Sequence, residues 1–159
     1  MDKEALRIQI ITQLKADHCL LLQAAKSAHA AATHEENIPD NKYATLGLEA
    51  SYVAQGQANR AQEVLQALEA FRQLILQTFS AQSSIRMSAL VQLEDDEGQS
   101  KLVFLGPVAG GLLLDFDKEK IMVITPASPL GRELIGKQCG DLIRLEGNSI
   151  REYEIVSVY

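Results

Sequence analysis

Three carboxylates, Glu35, Glu36 and Asp40, crowd into the stretch His34-Glu35-Glu36-Asn37-Ile38-Pro39-Asp40-Asn41-Lys42-Tyr43. The stretch interrupts two long helical patterns, Lys3 to Thr33 and Tyr43 to roughly Phe79. So short a break makes the second helix return antiparallel along the first. The acids then sit at the far end of a thin rod, a placement suited to delivering negative charge into a narrow space. The same residues also suit a plain solvated loop. Asn37 or Asp40 can cap the return helix, with Pro39 in its first turn, where no N–H is needed. Acid in that turn agrees with the helix dipole.

Other reactive groups are sparse. His18 falls on an apolar seam, and His29 and His34 lie many residues away, so no metal box forms in the sequence. Cys19 and Cys139 belong to different segments without CxxC spacing, and buried free thiols are expected in a reducing compartment. The chain has no Ser/His/Asp set and no phosphate-binding glycine loop, so an autonomous enzyme is not expected.

The elements that must carry the acids are legible from periodicity. In the first helix Ile11, Leu14, His18, Leu21, Ala25, Ala28 and Ala32 step by three and four, a heptad-like seam. Alanines in its upper half let a partner helix approach closely near the tip. About 30 residues at 1.5 Å each give a rod of roughly 45 Å. In the return helix Ala58, Ala61, Leu65, Leu68 and Ile75 suggest the matching seam. Gly47 and Gly56 weaken that helix by about 1 kcal/mol each relative to alanine.

Beyond Ser84 the apolar period becomes that of strands. Arg86–Leu93, the turn Asp95–Gly98 and Lys101–Leu105 read as a hairpin. Leu112–Leu114 turns through Asp115–Lys118 into Lys120–Thr125. Ser128-Pro129 offers a cap and a first-turn proline for a short helix, Leu130 to Ile135, which Gly136 stops. Asp141–Leu145, a Gly147-Asn148 turn and Arg151–Tyr159 complete an antiparallel sheet with one short helix laid on it. The expected division is residues 1–80, a coiled-coil hairpin with an acidic tip, and residues 81–159, a β domain; the class is α+β.

Composition limits the partners. The chain has 159 residues, 47% of them hydrophobic and only 5% aromatic, which suits a thin alanine-rich hairpin better than one large core. Net charge is −6, with seven Lys/Arg against nine Asp/Glu in residues 1–80 and eight against twelve in 81–159. Neither half has the basic footprint that independent duplex-DNA binding needs. No apolar run approaches the roughly 20 residues of a membrane span. Met1-Asp2-Lys3-Glu4 lacks a signal-peptide pattern, so a cytoplasmic protein with no membrane partner is expected.

Val123-Ile124-Thr125-Pro126-Ala127-Ser128-Pro129-Leu130-Gly131-Arg132-Glu133-Leu134-Ile135-Gly136-Lys137, followed by Gly140-Asp141, resembles the C-terminal signature of the GreA/GreB transcription elongation factors. Arg151-Glu152-Tyr153-Glu154-Ile155-Val156 is similar to that family's closing strand. The resemblance covers about half of the chain, and the long hairpin before it matches the family's layout. It implies an FKBP-like C-terminal domain docking on RNA polymerase through Ser128, Pro129, Leu130 and Gly131. The coiled coil would enter the polymerase's secondary channel. There Glu36 and Asp40, with Glu35, would help to hold a Mg²⁺ shared with the polymerase, which suits oxygen ligands. The polymerase itself would cleave backtracked RNA, so the factor would meet the nascent RNA 3′ end only indirectly, as a monomer with no cofactor of its own.

The tip departs from the family's pattern, which reads acid, two residues, acid, then Asn and, three residues on, Tyr. Aligned on Tyr43, the first acid falls on Glu36 and the second on Pro39, with Asp40 one place late. A one-residue shift turns a helical side chain by about 100°. Lys26 and Lys42 are the only cations near the tip. An inhibitory secondary-channel regulator is therefore a rival to a cleavage factor. From other classes come a coiled-coil adaptor that dimerises through its seam and a peptidyl-prolyl isomerase. The latter would need an aromatic lining from Phe104, Phe116, Tyr153 and Tyr159.

Overall fold

The computed structural model describes residues 1–33, 44–146 and 150–159. Two long helices, α1 (Lys3–Thr33) and α2 (Ala44–Gln73), precede the strands β1 (Leu90–Asp95), β2 (Ser100–Leu105), β3 (Leu113–Phe116) and β4 (Glu119–Ile124). A short helix, α3 (Pro129–Leu134), is followed by β5 (Leu142–Leu145) and β6 (Arg151–Val158). By compactness the chain falls into two units, one of Met1–Ile10 with Ala70–Tyr159 and one of Ile11–Glu69.

The helical unit follows the seam of α1 closely. Leu14 is buried, and Ile11, His18, Leu21, Ala25, Ala28 and Ala32 are all half-buried, while Asp17 alone joins them among the other described positions from 11 to 33. In α2 the expected seam fails at three of its five places: Ala58 and Leu65 are exposed, each one residue off the inward stripe of Gly47, Ala50, Ala54, Gln57, Ala61, Val64 and Leu68, and Ile75 is exposed beyond the helix end. Val64 and Leu65 are both apolar and both lie three or four residues from Ala61 and Leu68, so spacing alone does not choose between them. Cys19, expected to be buried, is exposed because it follows the seam residue His18 onto the outer face; both thiols are free.

In the other unit a six-stranded sheet has the order β3-β4-β2-β1-β6-β5. Every pairing is antiparallel except β2 with β4, which is parallel, Leu102 facing Ile121 and Leu105 facing Ile124. This corrects the expectation of a wholly antiparallel sheet. Residues 106–112 cross over before the β3–β4 hairpin, whose tight turn holds Asp117 and Lys118 at φ of 50° and 71°. One sheet face carries a core of Val91, Leu93, Val103, Leu105, Ile124, Ile143, Tyr153 and Ile155 closed by Leu134 of α3. By strand alternation Leu90, Leu102, Phe104, Ile121 and Val123 point to the opposite face. There Phe71 packs against Gly106 and Val123: a Cβ on Gly106 would stand 2.8 Å from Phe71 Cζ and 3.1 Å from Val123 Cγ1. Leu6, Ile10, Phe71 and Phe104 are all fully buried, so helix ends form the third layer of this unit.

The return helix stops at Gln73 rather than near Phe79. Tertiary hydrogen bonds take over the backbone that would have continued it. Gln77 N donates to Ser88 Oγ at 2.8 Å, and Arg7 Nη1 donates to Leu74 O at 3.0 Å. Lys3 Nζ reaches Ser88 O at 3.1 Å, Tyr159 O at 3.0 Å and also Gln77 O. Ser88 is fully buried, with φ of 68°, so β1 begins at Leu90 and not at Arg86.

Lys3 therefore ties three segments together, beneath the Phe79 ring 4.5 Å away. Burial, and next the repulsion of Arg86, lowers its pKa from 10.5 to about 8. Between those values the unfolded chain binds the additional proton, so stability should rise from about pH 8 to pH 10.5 and fall as pH drops through 8. The Tyr153 hydroxyl, lowered chiefly by its hydrogen bond to Lys101, acts in the same direction. Thermal melts at pH 7.5, 9 and 10 should show a smaller rise in Lys3→Met than in the unaltered chain. Equal slopes would refute the assignment.

Candidate docking site on the β unit

Glu35, Glu36 and Asp40 lie outside the described residues. The second group of expected site residues, Ser128, Pro129, Leu130 and Gly131, is brought together at the start of α3. Ser128 is an N-cap with extended backbone, φ −69° and ψ 153°. Its Oγ accepts from Gly131 N at 3.1 Å and donates to Thr125 O at 2.7 Å. Ser128 N also donates to Thr125 O, at 3.0 Å. A serine there thus satisfies a first-turn N–H and fixes the strand-to-helix corner at once. Pro129 takes the first helical place, where its missing N–H costs nothing.

Gly131 is required by space rather than by φ. A Cβ on it would lie 2.0 Å from Thr125 O and 2.8 Å from Thr125 C, both backbone atoms. Gly131 and Leu134 are buried, Leu130 is half-buried and Pro129 is exposed. The corner therefore sinks its glycine and presents its proline.

The rest of the signature is accounted for by structure. Gly136 has φ of 82° as it leaves α3, and its N donates to Ile85 O at 2.9 Å. Gly140, at φ 88°, donates to Ile155 O at 2.8 Å, and Ile155 N returns a bond to Asp141 O at 3.0 Å. The Asp141 carboxylate accepts from Gln138 N at 2.8 Å. These residues tie α3 and the turn after it to Thr125 at the end of β4, to Ile85 and to Ile155 of β6.

Beside the corner lies an open groove of about 460 Å³ lined by Pro129, Arg132, Glu133, Arg144, Leu145 and Glu146. Both signs of charge alternate along it. An ion pair toward β6, Arg144 Nε to Glu152 Oε1 at 4.0 Å, joins two half-exposed side chains and contributes little. Spacing in the sequence did not reveal that β5 completes this groove, nor that Arg132 folds back on Ala127. Among the described residues no three His, Cys, Asp or Glu side chains converge as metal ligands. No helix is long and apolar enough to cross a membrane, again among the described residues. Phe104 and Phe116 are core residues rather than the lining of a pocket.

No family model matches the chain. Over 76 residues it is 30% identical to the transcription elongation factor GreA of Rickettsia bellii strain OSU 85-389, covering 47% of this chain and 44% of that protein. GreA of R. bellii strain RML369-C matches to the same extent. The likeness to GreA thus rests on about half of the chain. The match spans less than half the length of these curated Gre proteins. Among solved structures, the GreA factor homolog 1 (Gfh1) protein of Thermus thermophilus is 24% identical at a TM-score of 0.40, covering 96% of this chain and 94% of that one. Gfh1 of Thermus aquaticus is 22% identical at a TM-score of 0.42, covering 95% and 92%.

Proposed function

We propose that this protein is a cytoplasmic transcription elongation regulator that binds RNA polymerase and acts through the polymerase's active site. The observation that carries this reading is the hydrogen-bonded Ser128–Gly131 corner, which presents Pro129 beside a groove of mixed charge. In the division of labour proposed here, residues 81–159 dock on the polymerase and residues 1–80 extend the tip into its secondary channel. Glu36 and Asp40, with Glu35 beside them, offer hard carboxylate oxygens of the kind Mg²⁺ prefers. A Mg²⁺ held jointly with the polymerase would lower the pKa of an attacking water. The protein's own part is to bring negative charge to that place and keep it oriented, while the polymerase cleaves backtracked RNA.

A second reading rests on Pro39, which occupies the position where the family carries its second acid. With Asp40 one residue late, the tip would occupy the channel without supporting cleavage, and the protein would inhibit. Transcript cleavage on a stalled, backtracked polymerase complex decides between them. Shortened RNA released in proportion to added protein supports the first reading. Binding with slowed elongation and no cleavage supports the second. Absence of any binding to polymerase overturns both and leaves a coiled-coil adaptor, which concentration-dependent mass would reveal.

A further inference from the structure

Arg132 lies within the signature, yet neither the cap nor the turn requires a guanidinium there. Its Nε and Nη2 both donate to one carbonyl, Ala127 O, at 3.0 and 2.9 Å. Ala127 immediately precedes the capping serine. Arg132 N donates in turn to Ser128 O at 3.0 Å. The side chain thus closes a ring outside the corner, while Ser128 Oγ and Thr125 O close one inside it. Both residues at the ends of the outer ring, Ala127 and Arg132, are exposed. A fully solvated arginine has no reason to spend two donors on one carbonyl unless the local fold holds it there.

We infer that Arg132 is a positioning residue for docking: its fork clamps Ala127 while its backbone N–H holds Ser128, so that the exposed Pro129 faces a protein partner in one fixed pose. The inference rests on the docking reading given above. A planar fork whose two donors converge on one oxygen fixes both distance and angle, which a point charge on a flexible stem does not. A corner held before binding avoids the ordering cost otherwise met at the interface. The competing role for Arg132 is direct contact with an acidic group on the partner. The two roles differ in the free protein, where only the clamp has work to do.

The test uses the full chain with Arg132→Met, which keeps most of the stem, and Arg132→Lys, which keeps the charge. Amide hydrogen exchange is read in the free protein at Ser128 and Arg132, with β2 amides as the control for global stability. Affinity is then read by titration against RNA polymerase. In Arg132→Met, exchange at the corner should quicken by about tenfold and affinity should weaken by about tenfold, as for loss of a charge-assisted bond. Arg132→Lys should recover only part of each. Unchanged exchange with lost affinity would mean direct contact and overturn the clamp, and so would faster exchange with unchanged affinity. If the unaltered chain fails to bind polymerase, the docking reading is lost before any variant is measured, and the inference falls with it.

Discussion

Asp40→Asn and Glu36→Gln should each lower stimulated transcript cleavage by roughly tenfold to a hundredfold, the usual cost of disturbing groups that support a metal. Helicity and polymerase affinity should stay unchanged. The reasoning turns on what asparagine can and cannot replace. Asn caps a helix about as well as Asp, so a purely structural Asp40 would survive the exchange. An amide oxygen carries no charge and holds Mg²⁺ poorly, so a metal-directed carboxylate would not survive it. Placement of the acid is also expected to matter. A misplacement of about 1 Å costs on the order of a hundredfold when geometry controls a reaction. If both variants behave like the unaltered protein in cleavage and in elongation, the tip is a plug and not a chemical tool.

Gly131→Ala should destabilise the β unit by about 1–3 kcal/mol, the range for forcing extra atoms into a packed site. The obstruction is backbone: the new methyl would meet Thr125 O at 2.0 Å, and no side-chain rotation relieves that. The corner must open, which breaks the bonds from Ser128 Oγ to Thr125 O and from Gly131 N to Ser128 Oγ. For a unit of about 100 residues, each 1 kcal/mol lowers Tm by about 4–8 °C. Gly98→Ala is a useful contrast, because nothing lies within 4 Å of its Cβ and only its φ of 75° opposes the change. Calorimetry of the two variants separates close approach from backbone preference. A Tm for Gly131→Ala equal to that of the unaltered chain would show that the corner is not tightly packed.

Much of this molecule was settled by sequence alone. Leu14, Ala25 and Ala32 announced the inward seam of α1, since a period of 3.6 residues leaves only one stripe to bury. Ser128-Pro129 and Gly136 marked the ends of α3, because capping and left-handed backbone are local demands met by few residue types. Tertiary structure decided what depends on a distant neighbour. Whether Val64 or Leu65 faces inward depends on the partner helix, which the α2 sequence does not contain. Where α2 ends was fixed by Lys3, Arg7 and Ser88, residues 11 to 74 positions away from the backbone groups they bind. The parallel pairing of β2 with β4 follows from a crossover that strand alternation cannot register. Arg132 reads as one more surface cation in the chain. Only folding brings its fork onto Ala127, because a guanidinium's partner is set by geometry and not by its place in the sequence.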